Sequence, residues 1–357
     1  MKHKNQKHFN KTRIVNGTQP ELAVVVPIYN EEQHIERCLK ALSNQTIDSR
    51  KYAILLVDGG SNDRTLELLH AFIEQRTKEM PEIILLDNPE RSVSHARNIA
   101  MSALPDSVRY VLEHIGHAFV HEDYLELRLK AWNEAEKKYG EKLAGLGARV
   151  LPDSSLSTRR EAWIESAISS WLGHSDGQFA KFDKLETTKT PAFVLHRRAC
   201  IEELGGWDPE FITSQDSELS MRMLDAGYIL ARSPIATIQM KKRSTLSQWW
   251  KMGHRYGFWR TKLIRKYPSR VRFVEFLPLI GLLLTSALFL TNHRYSMLPI
   301  LFYFGVLILA GFSQAVRFRS FSVLLGCPLC LVFLHTSFTI GLIDGLIRKG
   351  SFAHDRR

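Results

Sequence analysis

The chain opens with short apolar runs, each ending in a polar loop and followed by a helical period. Ala53–Val57 is continuously apolar and stops at Asp58, Gly59 and Gly60. Such a run predicts a strand buried on both faces of a parallel sheet. Ser61, Asn62 and Asp63 are N-cap types, and behind them Leu66, Leu69 and Ile73 recur at helical spacing. Ala23–Glu32 repeats the design one unit earlier, with Pro27, Tyr29, Asn30 and Glu31 at the strand tip and Ile35, Cys38, Leu39 and Leu42 in the helix. Pro27 has no amide proton, which suits a strand end. Glu82–Asn88 predicts a third strand and Leu143–Val150 another, Ala192–Cys200 a short strand and then a helix start, and Asp123–Lys138 an amphipathic helix. Two successive strand–loop–helix units with acids at the strand tips make a nucleotide-sized crevice, because ligands of open α/β sheets bind at the carboxyl ends of the strands. The expected class is therefore α/β, with a mostly parallel sheet.

The pattern changes after residue 240. Lys241–Tyr267 alternates basic and aromatic residues, and Leu246, Trp249, Trp250 and Gly253 share one helical face. That composition predicts a helix lying in a membrane interface. Phe276–Leu290, Met297–Val316 and Val323–Ile347 are predominantly apolar. A helical span needs about 20 apolar residues, so about three transmembrane helices are expected, with the last open to a re-entrant course. The predicted organisation is a flexible basic tail over 1–20, an α/β domain with the nucleotide-sized crevice over 21–240, a basic aromatic interfacial segment over 241–272, and transmembrane helices over 273–350.

Charge sharpens this division. The net charge is +11, and Lys241–Arg272 holds eleven Lys/Arg and no acid. Basic chains bind nucleic acid or anionic lipid. Long apolar segments follow this block, so membrane lipid is the expected partner and nucleic acid is not. No apolar stretch follows Met1 in the manner of a signal peptide. Cys38, Cys200, Cys327 and Cys330 are scattered, and the CPLC stretch lies in an apolar run, so all four read as core thiols rather than metal or redox groups.

VVVPIYNEE, followed about thirty residues later by LLVDGGSNDRT, resembles the family-2 glycosyltransferases of the GT-A fold. RSVSHARNIA, SAISSWLGHSDGQF, GGWDPEFITSQDSELSMRMLDAG and RYGFWR resemble its succinoglycan-type branch, which builds bacterial surface polysaccharides or their lipid-linked precursors. The resemblance runs from about Leu22 to the C-terminus. It implies an inverting transfer from a nucleotide-sugar donor, UDP-linked, to a glycan or polyprenyl-linked acceptor, by a multi-pass protein of the cell inner membrane with a cytoplasmic catalytic domain. It further implies that Pro27, Tyr29, Asn30, Glu31, Asp58, Ser61, Asp63, Arg97 and Asn98 bind the donor. Asp216 becomes the general base, with Gln215 where the family has Glu. Trp207 offers a flat face for an acceptor sugar, and Gln248 is what remains of a Gln-x-x-Arg-Trp acceptor motif.

One stretch departs from the family. An acidic motif that holds Mg²⁺ or Mn²⁺ is expected near Tyr110–Glu126, and Ile115 stands where an Asp belongs. On a continuous strand Glu113, Ile115 and His117 would share a face, which predicts a substitute Glu113–His117 metal pair. The alternative is that basic residues neutralise the diphosphate. His114 and His121 are expected to face solvent. Two rival functions stay open: a catalytically weak membrane scaffold, and a sugar-nucleotidyltransferase, which would need a Gly-rich basic loop where PIYNEE stands.

Overall fold

A computed structural model describes residues 11–13, 19–152, 158–173, 179–291 and 293–348. The chain divides into two compact units: Met1–Val150 with Phe182–Met240 and Arg356–Arg357, and Leu151–Lys181 with Lys241–Asp355. One division of these units falls between Met240 and Lys241. The excursion Leu151–Lys181 goes with the C-terminal part, which the sequence did not indicate.

The strands are β1 (Lys11–Arg13), β2 (Leu22–Ile28), β3 (Tyr52–Asp58), β4 (Glu82–Asp87), β5 (Tyr110–Glu113), β6 (Ala118–Phe119), β7 (Leu143–Pro152), β8 (Glu186–Thr187), β9 (Leu195–Arg197) and β10 (Ile229–Met240). They form one sheet in the order β1-β4-β3-β2-β5-β9-β7-β10-β6, with β8 on β10. Its centre, β4-β3-β2-β5, is parallel. The flanks are antiparallel additions: β9 on β5, β7 on β9 and β1 on β4. The sheet is thus mixed around the parallel core that the apolar runs predict. Lys11–Arg13, expected in a flexible tail, instead edges the sheet; residues 1–10 and 14–18 lie outside the described set.

Helices α1 (Ile35–Ser43), α2 (Thr65–Glu74), α3 (Val93–Ala103) and α4 (Tyr124–Tyr139) follow their strands, α5 (Arg159–Ser169) lies in the excursion, and α6 (Arg198–Glu203) and α7 (Gln215–Asp225) complete the first unit. α3 lays Ala96 and Ala100 on Val25, Leu55 and Ile84, and Trp207, Leu219 and Met223 extend the same core. Pairing of β2 with β5 ends at Val25, so Pro27, further along β2, owes no hydrogen bond on that side.

The second unit adds α8 (Leu246–Lys266), α9 (Leu277–Thr291), α10 (Leu298–Phe318) and α11 (Phe321–Ile347). Among the described residues three helical stretches are long and apolar enough to cross a membrane: Phe273–Thr291, His293–Phe318 and Phe321–Ile347. α8, expected to lie in a membrane interface, packs one face on another helix. Trp249 and Gly253 of its apolar face pack on α11, where Trp249 Nε1 donates to the Cys330 carbonyl at 2.8 Å. Cys327 and Cys330 lie buried and free in this core, as does Cys38 in the first unit.

Candidate active site

The donor loops are stitched to each other. Asn30 sits in left-handed backbone at φ 53°. Its Nδ2 donates to Asn62 Oδ1 at 2.9 Å, and Asn62 N returns a 2.9 Å bond to Asn30 Oδ1. Asn30 N donates to Ser61 Oγ at 3.0 Å, Glu31 N to Thr65 Oγ1 at 2.8 Å, and Glu32 N to Asp63 Oδ2 at 3.3 Å. Asp63 Oδ1 also accepts from Thr65 N at 3.0 Å, which ties the entrance of α2 to the same network. The β2 and β3 tips therefore hold one shape, with Tyr29 half-buried beside Gly59. Asp58 is 3% exposed and is no free loop tip. It accepts from Gly60 N at 2.8 Å, Ser61 N at 3.0 Å and Ser61 Oγ at 2.6 Å. Its first role is to close the turn that Gly60, at φ 76°, makes possible.

A buried charge cluster stands at the end of β5. Glu113, 4% exposed, accepts from Arg97 Nη2 at 3.2 Å and from His196 Nε2 at 3.1 Å. Burial pushes its carboxyl up, but Arg97 and His196 more than reverse that and leave it below the ordinary value. Arg97 Nε and Nη1 are buried without a protein partner. His196 was not singled out from the sequence; the signal was a histidine inside the apolar run AFVLH.

Asp216 lies in the first turn of α7, half-buried, with Oδ1 accepting from Ser217 N at 2.8 Å. A helix N-terminus favours its charged form. Burial and the nearby Glu113 charge nonetheless raise its carboxyl above the ordinary value, with Arg97 opposing them. Ser214, before the helix, has φ 64°. A non-glycine residue held in left-handed backbone costs about 1–3 kcal/mol and clusters at functional sites. Glu218 is fully buried and bound to Arg222 at 2.8 Å, an ion pair rather than a base. Arg222 also donates to the Leu204 and Gly206 carbonyls, both at 2.7 Å, fastening the glycine turn to α7.

Four expectations need correction. Trp207 is 1% exposed, its ring edge on His196 and its face under Arg97, so it offers no platform to a sugar. Asn98 spends its amide on the same residue, donating to Trp207 O at 2.7 Å and accepting from Trp207 N at 2.9 Å; it holds the loop instead of facing a ligand. His114 is fully buried, and burial pulls its imidazole down to about 4; the other expected surface histidine, His121, is exposed. The metal pair fails because β5 ends at Glu113, so the alternation needed to align His117 is lost. His117 Nδ1 instead meets Glu31 Oε1 at 2.7 Å, over Gly116, where a Cβ would strike the Glu31 side chain. Among the described residues no three His, Cys, Asp or Glu side chains converge as a metal site. Hard cations take six or more oxygen ligands, so these side chains do not fit a protein-built ion cage. Gln248 is exposed at the start of α8, its oxygen 3.5 Å from Ser244 Oγ. Residues 174–178, in the SAISSWLGHSDGQF stretch, lie outside the described set.

The family model of Glycosyl transferase family 2 matches residues 23–140, and that of Glycosyl transferase family group 2 matches residues 117–343, well over half the chain. The chain is a family-2 glycosyltransferase. This glycosyltransferase is similar to the dolichyl N-acetyl-alpha-D-glucosaminyl phosphate 3-beta-D-2,3-diacetamido-2,3-dideoxy-beta-D-glucuronosyltransferase of Methanococcus voltae, 23% identical over 92% of this chain and 98% of that one. It is 24% identical to the succinoglycan biosynthesis protein ExoA of Rhizobium meliloti, over 73% of this chain and 76% of that one. Its fold is similar to that of mannosyltransferase PcManGT from Pyrobaculum calidifontis, solved with GDP-Man and Mn²⁺, at TM-score 0.57 and 16% identity over 96% of this chain and 91% of that one. The sheet, the strand-tip loops and the apolar C-terminal helices place it as a GT-A-like α/β enzyme.

Proposed function

We propose that this glycosyltransferase moves a sugar with inversion from a UDP-sugar to a polysaccharide or lipid-linked acceptor at a membrane. The observation that carries the reading is Asp216: a half-buried carboxylate at a helix start, its proton affinity raised by burial and by Glu113. A base of that kind takes the acceptor hydroxyl proton while the oxygen attacks the anomeric carbon from the face opposite the leaving diphosphate. Pro27–Glu31 with Asp58, Ser61 and Asp63 form the base and ribose wall. Arg97 has two unpaired nitrogens, Nε and Nη1, beside the base and is the cation available to the donor. The acceptor class rests on the two relatives above, one named for a dolichyl-linked substrate and one for succinoglycan biosynthesis. The membrane setting rests on the three apolar helices. PcManGT was solved with Mn²⁺, but the described side chains here do not by themselves build a cage for such an ion.

The test is transfer by the purified full-length protein in lipid nanodiscs, across a panel of UDP-sugars with lipid-linked acceptors. Wild type is expected to release UDP in an acceptor-dependent way, and Asp216→Asn to lose about 10²–10⁴ of that rate. Equal rates in the two proteins would remove Asp216 from the mechanism.

A further inference from the structure

α11 is the longest apolar helix of the chain; one face, with Phe321, Leu325 and Ile347, is exposed, and a row of polar, charge-bearing elements packs along the other from end to end. At its start, Trp163 Nε1 of α5 donates to Ser322 Oγ at 3.3 Å, and Gly326 leaves room for the Trp163 ring. Arg317, at the turn before α11, donates to the Ser169 carbonyl at 3.4 Å. Half-way along, His335 Nε2 donates to the Leu172 carbonyl at 3.0 Å, since a carbonyl can only accept. From there α8 takes over and runs parallel to α11. Trp249 meets Cys330, Thr261 Oγ1 donates to the Leu342 carbonyl at 2.9 Å, and Arg265 donates to the Leu346 carbonyl at 2.8 Å. The two helices meet through facing Gly-xxx-Gly pairs. A Cβ on Gly253 or Gly257 would strike Ser337 or the Phe338 carbonyl, and one on Gly341 or Gly345 the His254 or Phe258 carbonyl. His254 also pairs with Asp344 at 3.3 Å.

This sheath conflicts with a membrane crossing by α11. At ~1.5 Å per residue, its 27 residues reach about 40 Å, more than a hydrocarbon core of about 30 Å. A crossing would carry α8 through the same core with Lys251, Arg255, Arg260, Lys262, Arg265 and Lys266. Each such charge costs about 2.5–3.5 kcal/mol at the bilayer centre. It would carry part of α5 as well, whose buried Glu161 and Glu165 are bound to Lys241 and Lys242. The flanking charges point the same way. Arg317 and Arg319 precede α11 and Arg348, Lys349, Arg356 and Arg357 follow it. A crossing would put one of these basic sets on the outer face, against the positive-inside rule.

Resting on the membrane setting proposed above, we infer that α11 does not cross the bilayer and that both of its ends stay on the face of the membrane that carries the catalytic unit. The turn between α10 and α11 is fixed beside α5, whose segment leaves and rejoins the first unit, so the result does not depend on the path of α9 and α10. Lipid then meets the exposed apolar faces of those two helices, among them Leu283, Phe289, Leu290, Phe302, Leu309 and Phe312. α11 is the scaffold on which α5, α8 and α10 assemble at the membrane surface.

The test uses the full-length protein with one epitope at each end, in sealed spheroplasts and in inverted vesicles. Both epitopes are expected to resist protease in spheroplasts and to be cleaved in inverted vesicles. Cleavage of the C-terminal epitope in spheroplasts, with the N-terminal one protected, would overturn the inference. A second measurement reads the sheath itself. Gly253→Cys with Ser337→Cys is expected to cross-link on oxidation in native membranes, seen as protease fragments that stay joined until reduction. Absence of that cross-link, where each single variant inserts normally, would equally overturn it. Neither readout requires transfer, so a wrong topology and a wrong activity show up separately.

Discussion

Asp216 answers two opposed demands. The start of α7 and the Ser217 amide favour its charge, while burial and Glu113 oppose it. The native carboxyl therefore binds its proton at higher pH than in the unfolded chain. Its contribution favours the fold below the unfolded value and is lost as pH rises through the native one. At neutral pH the charged form is a net cost, so Asp216→Asn is expected to keep or raise the melting temperature while it abolishes transfer. Calorimetry at pH 7 and pH 4 checks the sign: the gain should shrink at the lower pH. Glu113→Gln removes a negative neighbour and leaves Arg97 more strongly positive, so the acid limb of kcat/KM should move to lower pH. A limb that stays in place would separate Glu113 from the base. Asp58→Asn replaces the charged acceptor of two backbone amides and the Ser61 hydroxyl in the β3 turn with a neutral amide that has a single acceptor oxygen. It should weaken UDP binding in a calorimetric titration and lower stability by about 1–3 kcal/mol, since the residue is buried and not at a free tip.

At the scale of elements, loops hold the chemistry and side chains hold the loops. Asn98 of α3 grips both backbone polar groups of Trp207, and Arg222 of α7 grips the carbonyls on either side of the glycine turn. Asn98→Ala should cost about 1–3 kcal/mol, because it strands buried backbone groups, and should lower kcat more than it raises KM for donor. A proportionate rise in donor KM alone would return Asn98 to the ligand. The turn after β5 is the opposite case. Glu31 and His117 satisfy each other there, and no third ligand completes an ion site among the described residues. Titration of Mn²⁺ into nucleotide-free protein should therefore give no specific heat. Saturable binding that His117→Ala abolishes would contradict this.

In the membrane setting proposed above, packing as well as charge would hold the whole molecule in place. α8 buries Trp249, Phe258 and Trp259, and α5 buries Ile164 and Ile168. A high-salt wash should leave the full-length protein in the membrane fraction, since salt screens charge but not apolar contact. Truncation before Phe273 removes α11 from beneath both helices. The product should aggregate or be degraded instead of appearing as a peripheral protein that salt releases. Recovery of a folded, salt-extractable fragment would show that α8 is an independent interfacial helix.

The periodicity and the strand-tip motifs by themselves determined the parallel core, the place of Asp58 at a strand end with Asp63 in the loop after it, and the helix that carries Asp216 in its first turn. These depend on local spacing and backbone preference, which a sequence displays directly. Only the tertiary structure decided which polar residue found which partner. Trp207 and Asn98 read as ligand groups because their types suit sugars, but each was taken by a neighbour 109 residues away. Glu113 and His117 read as a pair because a strand alternates, but the strand stopped and each turned to a long-range partner, Arg97 and His196 for one and Glu31 for the other. The basic aromatic helix read as a lipid contact because composition cannot tell a face that meets lipid from one that meets another helix. The glycines that admit α11 at close approach become informative only when the two helices are seen side by side.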